Sequence, residues 1–294
     1  MSATRLTFGE IRFQCQKRFP GVDRDILDSY INERYRRILR RGDWQRLRVQ
    51  AVLQTVAPYE TGTVAATKGS SSITGTDTVW TETMSGRAIR IAAGEEYYEF
   101  TYVSPTSGTL DRDYEGEDAT EAAYSIWQNV YVLPSDLHVL HSIRVLGSPR
   151  DLDPLTQEEL DERAANRGTE GTPDCYSPHM EDLSTPPRSQ VELYPVPDAV
   201  MALPFWYTQD PTLFSASQTS NFVAAWLNPD ALYCGVEAEV RRQLEQDYVG
   251  GQAAESMFNL HLSEMFAAEA RRTPARQIKM ADRFTRHNLR RWTR

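Results

Sequence analysis

The stretch 63-TVAATKGSSSITGTDTVWTETMSGRAIRIAAGEEYYEFTYVSPTSGTLDRDYEG-116 decides how this 294-residue chain is to be read. Ile89 and Ile91 flank Arg90, and Tyr98, Phe100 and Tyr102 alternate with Glu99 and Thr101. That two-residue period belongs to strands with one buried face. Gly69, Gly75, Gly86, Gly94, Gly108 and Gly116 punctuate the runs, as turns do in a small sandwich or barrel. Residues 60–128 are therefore expected to form a compact all-β unit, and its core stretch carries neither His nor Cys.

On the N-terminal side the period changes to that of helices. Thr7 and Glu10 form a capping box, which predicts a helix over 8–18 that ends at Pro20-Gly21. A second helix starts near Asp23 or Asp25 and stops at Gly42, with Leu27, Ile31, Tyr35 and Leu39 on one stripe and Tyr30 and Ile38 beside it. Its other face carries Arg34, Arg36, Arg37, Arg40 and Arg41, which suit the negative end of the helix dipole.

On the C-terminal side, 130–147 reads as strand, turn, strand. A short helix follows over 156–168, with a capping box at Thr156 and Glu159 and a stop at Gly168. Residues 169–189, rich in Pro, Gly and Ser, are expected to be an exposed loop, followed by strands at 190–195 and 201–208. Asn228 then caps a helix with Pro229 at its first position. Gly250-Gly251 should break it before a last helix over 253–271, with Met257, Leu260, Met265 and Phe266 as core contacts.

The expected fold class is α+β: a helical bundle formed by the N- and C-terminal helices, with an inserted small antiparallel β-barrel or sandwich. The expected boundaries are 1–56 for the N-terminal part of the bundle, 57–210 for the β-rich insert (57–129, then 130–210), 211–271 for the C-terminal part and 272–294 for a basic tail.

No window approaches the ~20 apolar residues of a membrane span, and the N-terminus lacks the layout of a secretory signal. A soluble, unexported product with no membrane partner is expected. Cys15, Cys175 and Cys234 are far apart and lack CxxC spacing, so reduced thiols are expected rather than disulfides or zinc. The net charge of −9 hides a division: +6 over 1–48, −23 over 49–270 and +8 over 271–294. Two basic ends can meet acidic surfaces or nucleic acid, while the acidic body repels polyanions.

Catalytic constellations are missing from the sequence. His138 and His141 are spaced H-x-x-H but lie in a strand-like segment without the helical geometry of a zinc site. Asp111, Asp113, Glu115 and Gly116 imitate the start of a calcium loop, yet its twelfth position is Ala122. Glu158, Glu159, Asp161 and Glu162 sit in the first turns of a capped helix, where negative charge is favourable anyway. No P-loop, dinucleotide fingerprint or nucleophile elbow occurs. The chain is not expected to be an enzyme, and neither a metal nor a cofactor is expected.

The phrases 62-GTVAATKGSSSITGTDTVW-80, 107-SGTLDRDYEG-116 and 124-YSIWQNVYVLPSDL-137 are followed by 171-GTPDCY-176, 192-ELYPVPD-198 and 226-WLNPDALYCGVEAEVRRQL-244. In that order they resemble the head-to-tail adaptors of short-tailed phages, also called tail tubular protein A or head completion proteins. The resemblance spans roughly 60–270. It implies a structural virion protein made in the host cytoplasm. Identical copies would form a ring, a dodecamer in such adaptors, that joins the portal protein to the tail nozzle and tail fibres and surrounds the DNA.

In such adaptors the C-terminal segment clasps the portal. Its positions here are Arg271, Arg272, Arg276, Lys279, Arg283, Arg286, Arg290, Arg291 and Arg294, with Trp292 as an anchor. Arg34, Arg36, Arg37, Arg40 and Arg41 would face the channel and touch DNA transiently and without sequence preference. A tail fibre or receptor-binding β module is the alternative, and a nucleic-acid-binding protein using the Arg34–Arg48 region a third reading.

Overall fold

The computed structural model describes residues 6–42, 44–92, 96–164, 167–182, 187–210, 212–215, 217, 223–224 and 226–271. The chain divides into two compact units, one of residues 1–47 with 210–294, the other of residues 48–209.

Helix α1 (Phe8–Arg18) opens as its capping box requires: Thr7 Oγ1 accepts from Glu10 N–H at 3.2 Å, and Glu10 Oε2 accepts from Thr7 N–H at 2.7 Å. Helix α2 (Arg24–Arg41) is capped by Asp23 and ends at Gly42. A side chain at Gly42 would force the Phe266 ring aside, because a Cβ there would lie 2.2 Å from it, and that ring stacks on Trp44.

The second unit begins with β1 (Arg48–Gln54). Then come β2 (Thr63–Ala66), β3 (Ser72–Thr76), β4 (Arg87–Ile91), β5 (Tyr98–Ser104), β6 (Ser107–Leu110), β7 (Ala119–Ala122) and β8 (Tyr124–Trp127). These last seven form one antiparallel sheet in the order β7-β2-β3-β6-β5-β4-β8. Its two edge strands are consecutive in the chain, separated only by Ala123, so the sheet curls into a nearly closed barrel. Trp80, Phe100, Ile89, Ile126, Val64 and Ile73 fill it. Gly108 lies against Phe100, where a Cβ would come within 2.2 Å of the ring.

The rest of this unit comprises β9 (Val130–Val132), β10 (Leu137–Ile143), β11 (Asp153–Pro154), α3 (Gln157–Arg163), β12 (Glu170–Gly171), β13 (Cys175–Asp182), β14 (Arg188–Tyr194), β15 (Val196–Pro197) and β16 (Ala202–Gln209). They make sheets in the orders β1-β16-β10 and β11-β13-β14-β9, with β12 paired to β15. Tyr131, Ile143, Val191, Leu193, Leu203 and Phe205 share one core between the two larger sheets.

The chain returns to the first unit with α4 (Pro229–Glu239), a π-helical turn over Val240–Leu244, and α5 (Tyr248–Ala270). Asn228 accepts from Asp230 N–H as N-cap, with Pro229 at the start of α4. The bundle core joins α1, α2, α4 and α5 through Phe8, Ile11, Leu27, Ile38, Val236 and Phe258. The α+β class, a helical bundle and a nearly closed antiparallel barrel, is what the periodicities predicted.

Several local expectations change. β1 pairs along its whole length with β16 and so belongs to the second unit rather than with the N-terminal helices. The two strands read over 130–147 exist but do not pair as a hairpin: β9 joins β14 and β10 joins β16. The segment expected as a loop over 169–189 contains β13, hydrogen-bonded to β14, with Cys175, Tyr176 and Ser177 buried and Pro178 facing out. Pairing with β14 outweighs the turn-like composition. Helix α3 ends at Arg163, before Gly168. The break before the last helix comes at 245–247 rather than at Gly250-Gly251, because Asp247 caps α5 by accepting from Gly250 N–H at 2.9 Å.

Candidate functional site

The basic face of α2 is narrower than its sequence suggests. Arg36, Arg37, Arg40 and Arg41 are exposed and, at ~100° per residue, lie within one arc of the helix. Arg40 grips Asp210 through two bonds of 2.8 Å, Arg41 donates to Asn259 at 2.9 Å, and Arg37 lies 3.5 Å from Glu255. These contacts hold three guanidinium groups in place at the surface.

Arg34 corrects the expectation of a fifth surface arginine: its side chain is 0% exposed. It pairs with Glu239 and, at 2.8 Å, with Glu255. It also lies over the Phe258 ring, 5.0 Å from its centroid. Gly235 makes room, since a Cβ there would sit 3.0 Å from Arg34 Cδ. Arg242 reaches Glu255 at 3.1 Å, Gln243 donates to Glu239 at 2.8 Å, and Tyr30 Oη donates to Gln243 at 3.1 Å. One buried ionic cluster thus ties α2, α4, the π turn and α5. The spacing held a signal: position 34 is three after Ile31 and four before Ile38, on the apolar stripe itself.

Arg271 directly follows α5 and is exposed, a cation at the negative end of the helix dipole. Arg272, Arg276, Lys279, Arg283, Arg286, Arg290, Arg291, Trp292 and Arg294 lie outside the described residues.

Helix α5 departs from expectation in which side it buries. Its core face is Gly251, Ala254, Glu255, Phe258, Leu262 and Met265. Met257 and Leu260, expected in the core, are 46% and 50% exposed. The sequence is apolar on both sides of this helix, so periodicity alone does not choose between them.

Groups that imitated chemistry have structural partners. Asp111 accepts from Glu99 N–H at 2.8 Å, and Arg112 pairs with Asp111 and covers the Tyr98 ring. The calcium-like run is therefore a loop between β6 and β7, pinned to β5. His141 shares a 2.7 Å hydrogen bond with Thr208. Among the described residues no three His, Cys, Asp or Glu side chains gather as metal ligands, and no helix is long and apolar enough to cross a membrane.

A second polar cluster stands in the other unit. Glu192, 3% exposed, accepts from Asn129 at 2.8 Å and from Gln157 at 2.9 Å, and pairs with Arg167. Arg167 also pairs with Asp161, so the acidic helix α3 is tied to β14. This gives the acidic run a structural role.

The cysteines are not poised for nucleophilic chemistry. Burial pushes the Cys15 thiol from an ordinary 9.0 to about 12, and burial followed by the neighbouring Asp174 does the same for Cys175. For Cys15 this carries a pH dependence. The unfolded chain loses the thiol proton above its ordinary pKa, whereas the folded chain keeps it until about 12. The stabilisation is therefore complete below that ordinary value and is lost as pH rises. Denaturant unfolding of wild type and Cys15→Ala should show the difference between them shrinking by about 2 kcal/mol from pH 7 to 10.5. A constant difference would contradict this.

Comparison with known families places residues 110–279, more than half of the chain, in a match to the family described as SU10 adaptor protein. The match begins at the end of β6 and continues through α5 into the segment beyond it. No curated protein sequence matches the chain.

Proposed function

The chain belongs to the SU10 adaptor protein family of structural, non-enzymatic head-to-tail adaptors in phage virions, and from that footing we propose how it performs the joining. Copies synthesised in the host cytoplasm assemble as a ring, a dodecamer, between the portal protein and the tail nozzle and fibres. DNA passes through the ring. The observation that carries this reading is the family match, which extends beyond α5 into the basic C-terminal segment.

Charge supports the division of labour. Residues 271–294 carry +8 and residues 49–270 carry −23. The C-terminal segment, from Arg271 and Arg272 to Trp292 and Arg294, is the portal clasp. Arginine and tryptophan are the side chains that most often dominate interfaces. The exposed row Arg36, Arg37, Arg40 and Arg41 faces the channel and meets phosphates transiently, while the acidic body limits sticking. Arg34 takes no part in that contact, being enclosed in the bundle.

Deleting residues 272–294, which leaves α5 whole, tests the clasp. Attachment to purified portal is expected to fall below detection in co-sedimentation while the circular dichroism melt of the subunit is unchanged. Attachment at the wild-type level would refute the clasping role.

A further inference from the structure

The outward face of α5 carries Val249, Ala253, Ser256, Leu260, Ser263 and Ala267, all exposed. Their spacing alternates four and three, the seam by which one helix packs along another. Val249 is 83% exposed and Leu260 50%. The two serines add little polarity, because Ser256 Oγ donates to Gln252 O at 2.9 Å and Ser263 Oγ donates to Leu260 O at 2.7 Å. With those donors satisfied within the helix, covering the seam leaves few polar groups unpaired.

A matching feature stands elsewhere on the same unit. Phe13 of α1 is 65% exposed. It lies at ~160° around α1 from the mean direction of the core residues Phe8, Ile11 and Cys15. Lys17, one turn further along the same face, is also exposed. On the seam side Glu264 is an exposed acid one turn beyond Leu260. Each surface thus presents a large apolar side chain followed four residues later by a charge, and the charges are opposite.

These surfaces flank opposite sides of α4. Tyr233 of α4 lies under Arg18 of α1, whereas Gly235 lies against Phe258 of α5. Two residues along a helix turn by ~200°, so the contacts point in nearly opposite directions. Two unlike, complementary surfaces on opposite flanks of one subunit are what a head-to-tail contact between copies uses, and such contacts close into rings where their rotation permits.

We propose that the α5 seam is the docking surface for a second copy of this chain, which inserts Phe13 of its α1 into the seam and sets Lys17 beside Glu264. The proposal rests on the ring reading above and names the side chains that would build the ring.

The test uses virions whose adaptor carries Phe13→Cys with Ser263→Cys, treated with a short bismaleimide. Wild type controls for the native cysteines, and each single variant for like-with-like pairing. The double variant should give a ladder of covalent multimers at least tenfold above all three controls. Both positions are exposed, so melting temperatures should match wild type. Dimers from Ser263→Cys alone would overturn the proposal in favour of symmetric α5 pairing. Absence of the ladder in particles whose tail images show several copies would overturn the docking mode and leave the ring reading standing. Images showing one copy per particle would overturn the ring reading itself.

Discussion

Arg34→Met is expected to destabilise the helical unit by about 3–5 kcal/mol, the cost of removing one partner from a buried ion pair. Glu239 is 6% exposed and Glu255 9%, and both would lose the guanidinium between them. Arg242 and Arg37 still reach Glu255, but Glu239 would keep only its bond from Gln243 within this cluster. Methionine also loses the contact with Phe258. Replacing Arg34, Glu239 and Glu255 together by apolar residues of similar size should recover a large part of the loss, because an apolar cluster requires no ion to be desolvated. Urea titration followed by far-ultraviolet circular dichroism measures both. A loss under about 1 kcal/mol for the single variant would show that the cluster does not bear on stability.

Trp80→Ala should cost the barrel about 3–5 kcal/mol. Trp80 is 1% exposed and packs edge-on against Phe100 and Tyr124, at centroid distances of 5.1 and 5.9 Å. Its indole N–H donates to Tyr124 Oη at 3.0 Å, and that hydroxyl donates in turn to Thr61 O at 2.6 Å. Alanine leaves a cavity and removes a donor in one step. Trp80→Phe keeps most of the volume and should cost less than half as much. Hydrogen exchange is the suitable measurement: amides of β4, β5 and β8 should lose protection in Trp80→Ala, while those of α2 and α4 keep theirs. Equal loss in both regions, or none in the barrel, would contradict the assignment of Trp80 to a core of its own.

How much was legible in advance depends on the range of the interaction. Thr7 with Glu10, Thr156 with Glu159 and Asn228 with Pro229 act within one turn, and all three caps formed where the residues stand. Tyr98 and Phe100 alternate with Glu99 and were readable as a strand with one buried face. The adaptor family was legible from ordered phrases of turn and strand, four of which lie wholly inside the matched region and one across its start. Arg34 was misread because a charge was taken as a surface marker although its position lies on the apolar stripe. β13 was missed because Pro178 and the Gly- and Ser-rich stretch around it resemble a loop until β14 supplies the partner.

The sequence by itself thus determined the capped helices and the barrel strands with one buried face, the α+β class and the division into basic ends and acidic body, because caps, periods and charge counts are local sums over neighbouring residues. Only the tertiary structure decided that Arg34 is enclosed, that β9 and β10 enter different sheets, and that Met257 and Leu260 face outward. Each of those outcomes depends on which distant segment reaches a given face, and α5, apolar on both sides, carries no local preference between them.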